Sequence, residues 1–433
     1  MQDRRHQLTS PLSNLYVLAA IFFVWLLAIL FIFGYTPTND GVGYLEYAEH
    51  CLREGAPYPT QSIYQTEPFV WNIGIINLTE LSLWLSGSLW PLLIVLCAMK
   101  ATTCLLLGLT AEKLFSHKVA IVAMTLFMLY PNNWGQSTMI SSEIPSTCLA
   151  LAAVYLVVSR GHSWRMMGVS GLLLALANWF RPTALIFIIA IILYLLFFDR
   201  LHVVKRLGCL LIAFGLFTAS VGTLCYLRTG HFVYQARSYW FSMVDECYDG
   251  APVGPHYGQP IWPKGYPRYV ENHEQMDCFQ LEQIWKERSL NWLKDHKGEY
   301  LKKIPGRLFY MYMPEFDNMP AFLKDKTRAE NNVITMPYRH LFSEMKNLSF
   351  AQWLSLVSMI FYFALLLLFV TGTVQLVRQQ RWKSLFLPAF IVIGGSLAIV
   401  LVMHGETRFK DPFMPFLFML AAYQFAHFIR QKR

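Results

Sequence analysis

Along the chain, unbroken apolar runs alternate with short polar breaks. Ten runs approach or reach the length that a helix needs to cross about 30 Å of hydrocarbon. They are 15–33, 89–109, 119–130, 140–158, 166–180, 183–198, 207–227, 353–376, 385–403 and 413–428. The runs 119–130 and 166–180 are short, so they extend into flanking polar residues or tilt little. A further apolar stretch, 69–86, carries Asn72, Asn77, Thr79 and Glu80. The polar stretch 228–350 is too long for a connector and must fold. Within it, 245–269 is rich in Gly, Pro and Tyr and reads as irregular. The segment 280–303 reads as a helix with Leu281, Ile284, Trp285 and Trp292 on one face, interrupted after its end by Pro305.

Charge orients these runs. The segments 1–13, 112–118, 159–165, 199–206, 377–383 and 430–433 hold fifteen Lys or Arg against the acids Asp3, Glu112 and Asp199. The loop 36–68 reverses the balance, with Arg53 against Asp40, Glu46, Glu49, Glu54 and Glu67. The positive-inside rule then puts both termini in the cytoplasm, and 36–68 and 228–350 on the other side. Counting 69–86 as a span would turn every later basic loop outward, so it is predicted to lie in the interface. The pattern predicts an all-α polytopic membrane protein of about ten transmembrane helices. An interfacial helix lies in the first outer loop, and a large outer loop joins spans seven and eight. The chain divides into three parts: 1–227, an N-terminal transmembrane module with the first outer loop; 228–350, the outer-loop domain; and 351–433, a C-terminal transmembrane module.

Composition agrees with a bilayer as solvent: 55% of residues are hydrophobic and 15% are charged, well below the usual charged share of about a quarter. The net charge of +9 at pH 7 comes from basic residues at span ends, which excludes a nucleic-acid surface as its reason. The run 15–33 comes after Arg4 and Arg5 without a small-residue cleavage site, and reads as a retained span. Compact termini without a retention signal favour a bacterial inner membrane, whose outer face is the periplasm. The eight cysteines show no metal-type spacing. Cys247 and Cys278, both in the large outer loop, would be free to pair in an oxidising compartment.

Four polar clusters sit at outer ends of spans. In Thr38-Asn39-Asp40-Gly41, Asp40 is placed either as a general base or as the cap of the next helix. In Ser141-Ser142-Glu143, Glu143 either orients an acceptor or helps bind a metal, or meets a helix dipole. Arg181, an outward arginine, suits a phosphate, or snorkels among lipid headgroups. Between the last two spans, His404, Glu406, Arg408, Lys410 and Asp411 crowd into eight residues. There Arg408 and Lys410 are placed to hold a phosphate with Glu406 orienting them, or the loop merely neutralises itself. Lys100, inside the second span, has no evident role.

These pieces resemble the GT-C superfamily of integral membrane glycosyltransferases, in the branch of protein O-mannosyltransferases and lipid A aminoarabinose transferases. The matching residues are Asn39-Asp40-Gly41-Val42-Gly43-Tyr44, Ser142-Glu143-Ile144-Pro145, Arg181-Pro182-Thr183 and Glu406-Thr407-Arg408-Phe409 with Pro412 and Pro415. The resemblance implies a polyprenyl-phosphate monosaccharide as donor and a glycan, lipid or protein as acceptor. It implies catalytic roles for Asp40 and Glu143, phosphate binding by Arg181, Arg408 and Lys410, and support from His404, Glu406 and Tyr44. No cofactor beyond the lipid-linked donor is called for, and a divalent metal stays open. The chain departs from the mannosyltransferases in having Gly41 after Asp40 instead of a second acid, and Phe409 where tyrosine is common. Two alternatives remain: a ligase or polymerase of diphosphate-linked glycans, and a secondary transporter, which would need polar residues in mid-span.

Overall fold

All ten apolar runs are helical in the computed structural model, which describes residues 11–248, 251, 264–314, 323, 346 and 348–431. Seven helical stretches are long and apolar enough to cross a membrane: Asn14–Phe33, Trp90–Leu114, Glu143–Arg160, Val203–Thr229, Phe350–Arg378, Trp382–Val402 and Thr407–Ile429. The other three runs form the shorter helices His117–Leu129, Trp164–Phe180 and Ala184–Phe198. At 1.5 Å per residue, a 13-residue helix such as His117–Leu129 covers only about 20 Å. The described residues thus hold seven helices of membrane-spanning length where ten spans were expected.

At the centre of the bundle is Met414–Gln431, whose Phe416, Leu417, Phe418, Met419 and Leu420 are all fully buried. At the rim, Val203–Thr229 turns Ile212, Leu216, Leu224 and Leu227 outward, as a lipid-facing helix does. It packs on Trp164–Phe180 through Gly171, where a Cβ would stand 2.1 Å from the Leu210 carbonyl oxygen. Only a residue without a side chain allows so close a backbone approach.

Two further features shape the site. The first loop folds as Asn39–Glu54 packed on Ile73–Ser86. Asn77, one of the polar residues of that apolar stretch, accepts the Tyr58 backbone N–H at 2.7 Å and donates to the Tyr58 carbonyl at 3.0 Å. It therefore pins the loop to the helix. In the stretch Trp382–Val402, one turn at Phe390–Gly394 is a π-helix. Such a bulge shifts the register of the next turns, here Gly395–Val402, which form part of a cavity wall.

The outer loop contributes Tyr239–Glu246, Cys278–Asp295, Lys297–Lys302 and Ile304–Met311. The helix expected over 280–303 starts earlier, at an Asp277–Gln280 capping box, and breaks at His296. Pro305 opens the next helix instead of interrupting one, since a first-turn position needs no N–H. Much of the irregular stretch 245–269, and nearly all of 315–347, lies outside the described residues. Cys247 and Cys278 are both free thiols. They belong to different apolar clusters, Cys247 beside Met243 and Tyr300 and Cys278 in the main core.

Candidate active site

Asp40 lies in the first turn of Asn39–Glu54. Thr38 is the cap: its hydroxyl accepts the Gly41 N–H at 3.1 Å. A Cβ on Gly41 would lie 2.7 Å from that hydroxyl, so the glycine makes room for the cap. Asp40 is thereby spared the capping role and ion-pairs with Arg408. One turn on, the Tyr44 hydroxyl lies 3.5 Å from Asp40 Oδ2 and accepts a bond from Asn72 Nδ2 at 2.8 Å. Asn72 also donates to Ser142 Oγ at 3.2 Å, tying the first loop to the second cluster. Burial, then the charges of Asp40 and Glu143, raise the Tyr44 hydroxyl's pKa, so it stays a neutral phenol.

Glu143 is the first residue of its helix and accepts hydrogen bonds from Ser141 at 2.8 Å and Ser142 at 3.2 Å. Its partner is Arg181, which ends Trp164–Phe180 and reaches across in an ion pair. The Arg181 guanidinium also lies 5.3 Å from the centre of the Phe409 ring. The segment 404–410 then closes the site. Arg408 Nε stands 2.9 Å from Glu406 Oε1, and His404 Nε2 stands 3.6 Å from Glu406 Oε2. Burial opposes charge on Glu406, but Arg408 and His404 outweigh it and hold its carboxyl at a pKa of about 2.

These groups border one cavity of about 510 Å³. At its polar end stand Asp40, Arg181, His404, Glu406 and Arg408. Beyond them come an aliphatic wall, made by Leu185, Ile186, Ala398, Ile399 and Val402, and an aromatic wall made by Phe69, Trp71 and Phe241. Glu143 and Tyr44 stand behind Arg181 and Asp40 and do not line the cavity. Among the described residues, no group of three or more His, Cys, Asp or Glu is placed to hold a metal ion.

Lys410 departs from the expectation that it binds phosphate. It is only 2% exposed, and its ammonium donates to the carbonyls of Met311, Met313 and Thr407 at 3.2, 2.9 and 2.7 Å. On the 3₁₀ run Thr407–Phe413 it does not line the cavity that Arg408 borders, and it ties this run to the end of the outer-loop helix Ile304–Met311. Lys100 also finds its explanation. It hydrogen-bonds Gln136, whose amide donates to Asp411 Oδ2 at 2.7 Å, so the buried charge is answered inside the bundle.

Sequence reasoning missed Arg268 and Glu246. Arg268 lines the cavity, lies 3.9 Å from the centre of the Phe241 ring, and pairs with Asp245 at 2.5 Å. Burial pushes the Asp245 carboxyl up to about 6 even so. Arg268 sits in the Gly-, Pro- and Tyr-rich stretch, where no periodicity marks it. Asp245-Glu246, an acidic pair closing an aromatic helix, was the visible signal.

Fold and composition define a polytopic membrane protein. Residues 74–223, about a third of the chain, match the family model described as dolichyl-phosphate-mannose-protein mannosyltransferase. The fold is similar to that of an oligosaccharyltransferase from Archaeoglobus fulgidus. Its apo form is 12% identical, with a TM-score of 0.50 over 96% of this chain and 51% of the other. The form tethered to an acceptor peptide containing the NVT sequon is 11% identical, with a TM-score of 0.52 over 96% and 50%. A complex of the archaeal oligosaccharyltransferase AglB from Archaeoglobus fulgidus with an inhibitory peptide and a dolichol-phosphate is 12% identical, with a TM-score of 0.51 over 96% and 50%. The chain spans about half the length of these structures. No curated protein matches it in sequence.

Proposed function

We propose that this chain transfers one sugar from a polyprenyl-phosphate carrier to an acceptor glycan, lipid or protein at the extracytoplasmic end of its helices. The observation that carries this reading is the two-sided cavity: guanidiniums and Asp40 at one end, an aliphatic wall running from them. A lipid phosphate sugar has that same polarity, with a charged head on an apolar tail. The tail lies along Leu185, Ile186, Ile399 and Val402, and the phosphate meets Arg181 and Arg408, whose fork suits phosphate oxygens.

The reaction is a direct displacement. The acceptor's hydroxyl or amine attacks the anomeric carbon from the face opposite the phosphate, and its proton passes to Asp40. The bond from the anomeric carbon to the phosphate oxygen breaks, polyprenyl phosphate leaves with the electron pair, and the configuration inverts. Arg181 and Arg408 stabilise the negative charge that grows on the phosphate. Glu143 holds Arg181 and Tyr44 backs Asp40, both without touching substrate. We place the cavity on the extracytoplasmic side from the charge pattern of the loops.

Purified protein in detergent, given a radiolabelled polyprenyl-phosphate sugar pool and an envelope acceptor extract, tests this. Wild type transfers label and Asp40→Asn does not, with donor binding retained. Full transfer by the variant would remove Asp40 as base.

A further inference from the structure

Behind the polar end of the cavity, a series of ionisable side chains runs into the outer loop. Arg307, on Ile304–Met311, and Glu246, at the end of Tyr239–Glu246, are both 0% exposed and lie 2.6 Å apart. Glu246 Oε1 faces His404 Nδ1 at 4.0 Å. The other imidazole nitrogen faces Glu406 at 3.6 Å, and Glu406 faces Arg408 at 2.9 Å. Arg408 completes the series at Asp40.

We infer that Glu246 is a positioning residue for sugar transfer, acting through His404 and Glu406 to aim the Arg408 guanidinium at the cavity. The inference rests on the transfer reading above.

The start of the series is rigidly built. Arg307 donates to the Val400 carbonyl at 3.2 Å and lies 4.3 Å from the centre of the Tyr300 ring. Lys303 donates to the backbone carbonyls of Glu246 and Tyr248 at 3.1 and 3.3 Å. A Cβ on Gly405 would stand 2.0 Å from the Arg307 carbonyl oxygen. The segment carrying His404 and Glu406 therefore lies flat against the helix that carries Arg307, an approach only glycine permits.

Cost supplies the second argument. A buried Arg–Glu pair is no more stabilising than a well-packed apolar pair, and often less. Two apolar side chains would join these helices as well. They would not continue the series of polar side chains to Arg408, whose aim sets its distance from both Asp40 and the phosphate. Groups held within about 0.5 Å of a productive geometry need such support behind them.

The test is transfer kinetics on the full chain with Glu246→Gln, His404→Gln and the two combined. Each single variant is expected to lower kcat about tenfold with the donor KM within about twofold, and the double variant to fall no further than the worse single. Effects that multiply would show that Glu246 does not act through His404, and would overturn the inference. If Glu246→Gln fails to fold, the charge-free pair Glu246→Leu with Arg307→Met takes its place. It is expected to fold and still lose kcat, and wild-type kcat in that pair would equally overturn the inference. Asp40→Asn is assayed alongside, because activity there defeats the transfer reading itself, whatever Glu246 does.

Discussion

Arg408 holds two carboxylates at once, Asp40 on one side and Glu406 on the other. Asp40, assigned as the base, is thus engaged before any donor arrives, and a donor phosphate in the cavity competes with it for the same guanidinium. Asp40→Asn should therefore bind polyprenyl phosphate more tightly than wild type, by about tenfold, while losing transfer. Equilibrium binding of labelled polyprenyl phosphate to the two proteins decides it. Equal or weaker binding by the variant would mean that Asp40 and the phosphate do not share Arg408.

Arg181 and Glu143 separate support from function. Their side chains are 11% and 10% exposed, so Arg181→Ala strands a buried carboxylate. Such a loss costs about 3–5 kcal/mol, which a fall in the Tm followed by tryptophan fluorescence would report. Arg181→Met combined with Glu143→Gln should recover most of that stability while the donor KM stays high. Recovery of both would leave Arg181 with a structural role alone.

For Lys410 the expectation is the opposite. Lys410→Met leaves three backbone carbonyls without their donor and should lower the Tm, with the donor KM unchanged within about twofold. A KM raised as far as in Arg408→Ala would return Lys410 to the phosphate.

Acid should loosen the site through Glu406. Its folded pKa of about 2 lies below the ordinary 4.5, so its contribution is present above pH 4.5 and fades as pH falls toward 2. The full shift corresponds to about 3 kcal/mol. The Tm of wild type should drop across that window, and that of Glu406→Gln should drop less. Parallel curves would mean that Glu406 keeps its proton affinity on folding.

The helices were legible because hydrocarbon tolerates little but long apolar runs, and all ten runs are helical. Their span number was less so, since a 13-residue helix such as His117–Leu129 carries the same apolar signal as a full crossing. In the site, position along the chain was informative and partnership was not. Five ionisable groups between two apolar runs marked 404–411 as unusual. Yet Arg408 and Lys410, two residues apart, face different partners because a 3₁₀ run turns them to different sides. Whether Asp40 caps a helix hung on Thr38, two residues earlier. Both Thr38 and Asp40 are good caps, and only the fold chose between them. Arg268 and Arg307 were beyond reach, because they matter only where the outer loop meets the last spans.

The aliphatic wall of the cavity does not end inside the protein. Leu185 and Val402, which line it, are 65% and 40% exposed, and Ile189, Leu397 and Leu401 continue the apolar surface outward from them. On the proposed reading, the carrier enters sideways from the bilayer and most of its isoprenoid stays among neighbouring lipids. The protein then measures the head of its donor and a few units of tail, and carrier length beyond those units makes no difference to it.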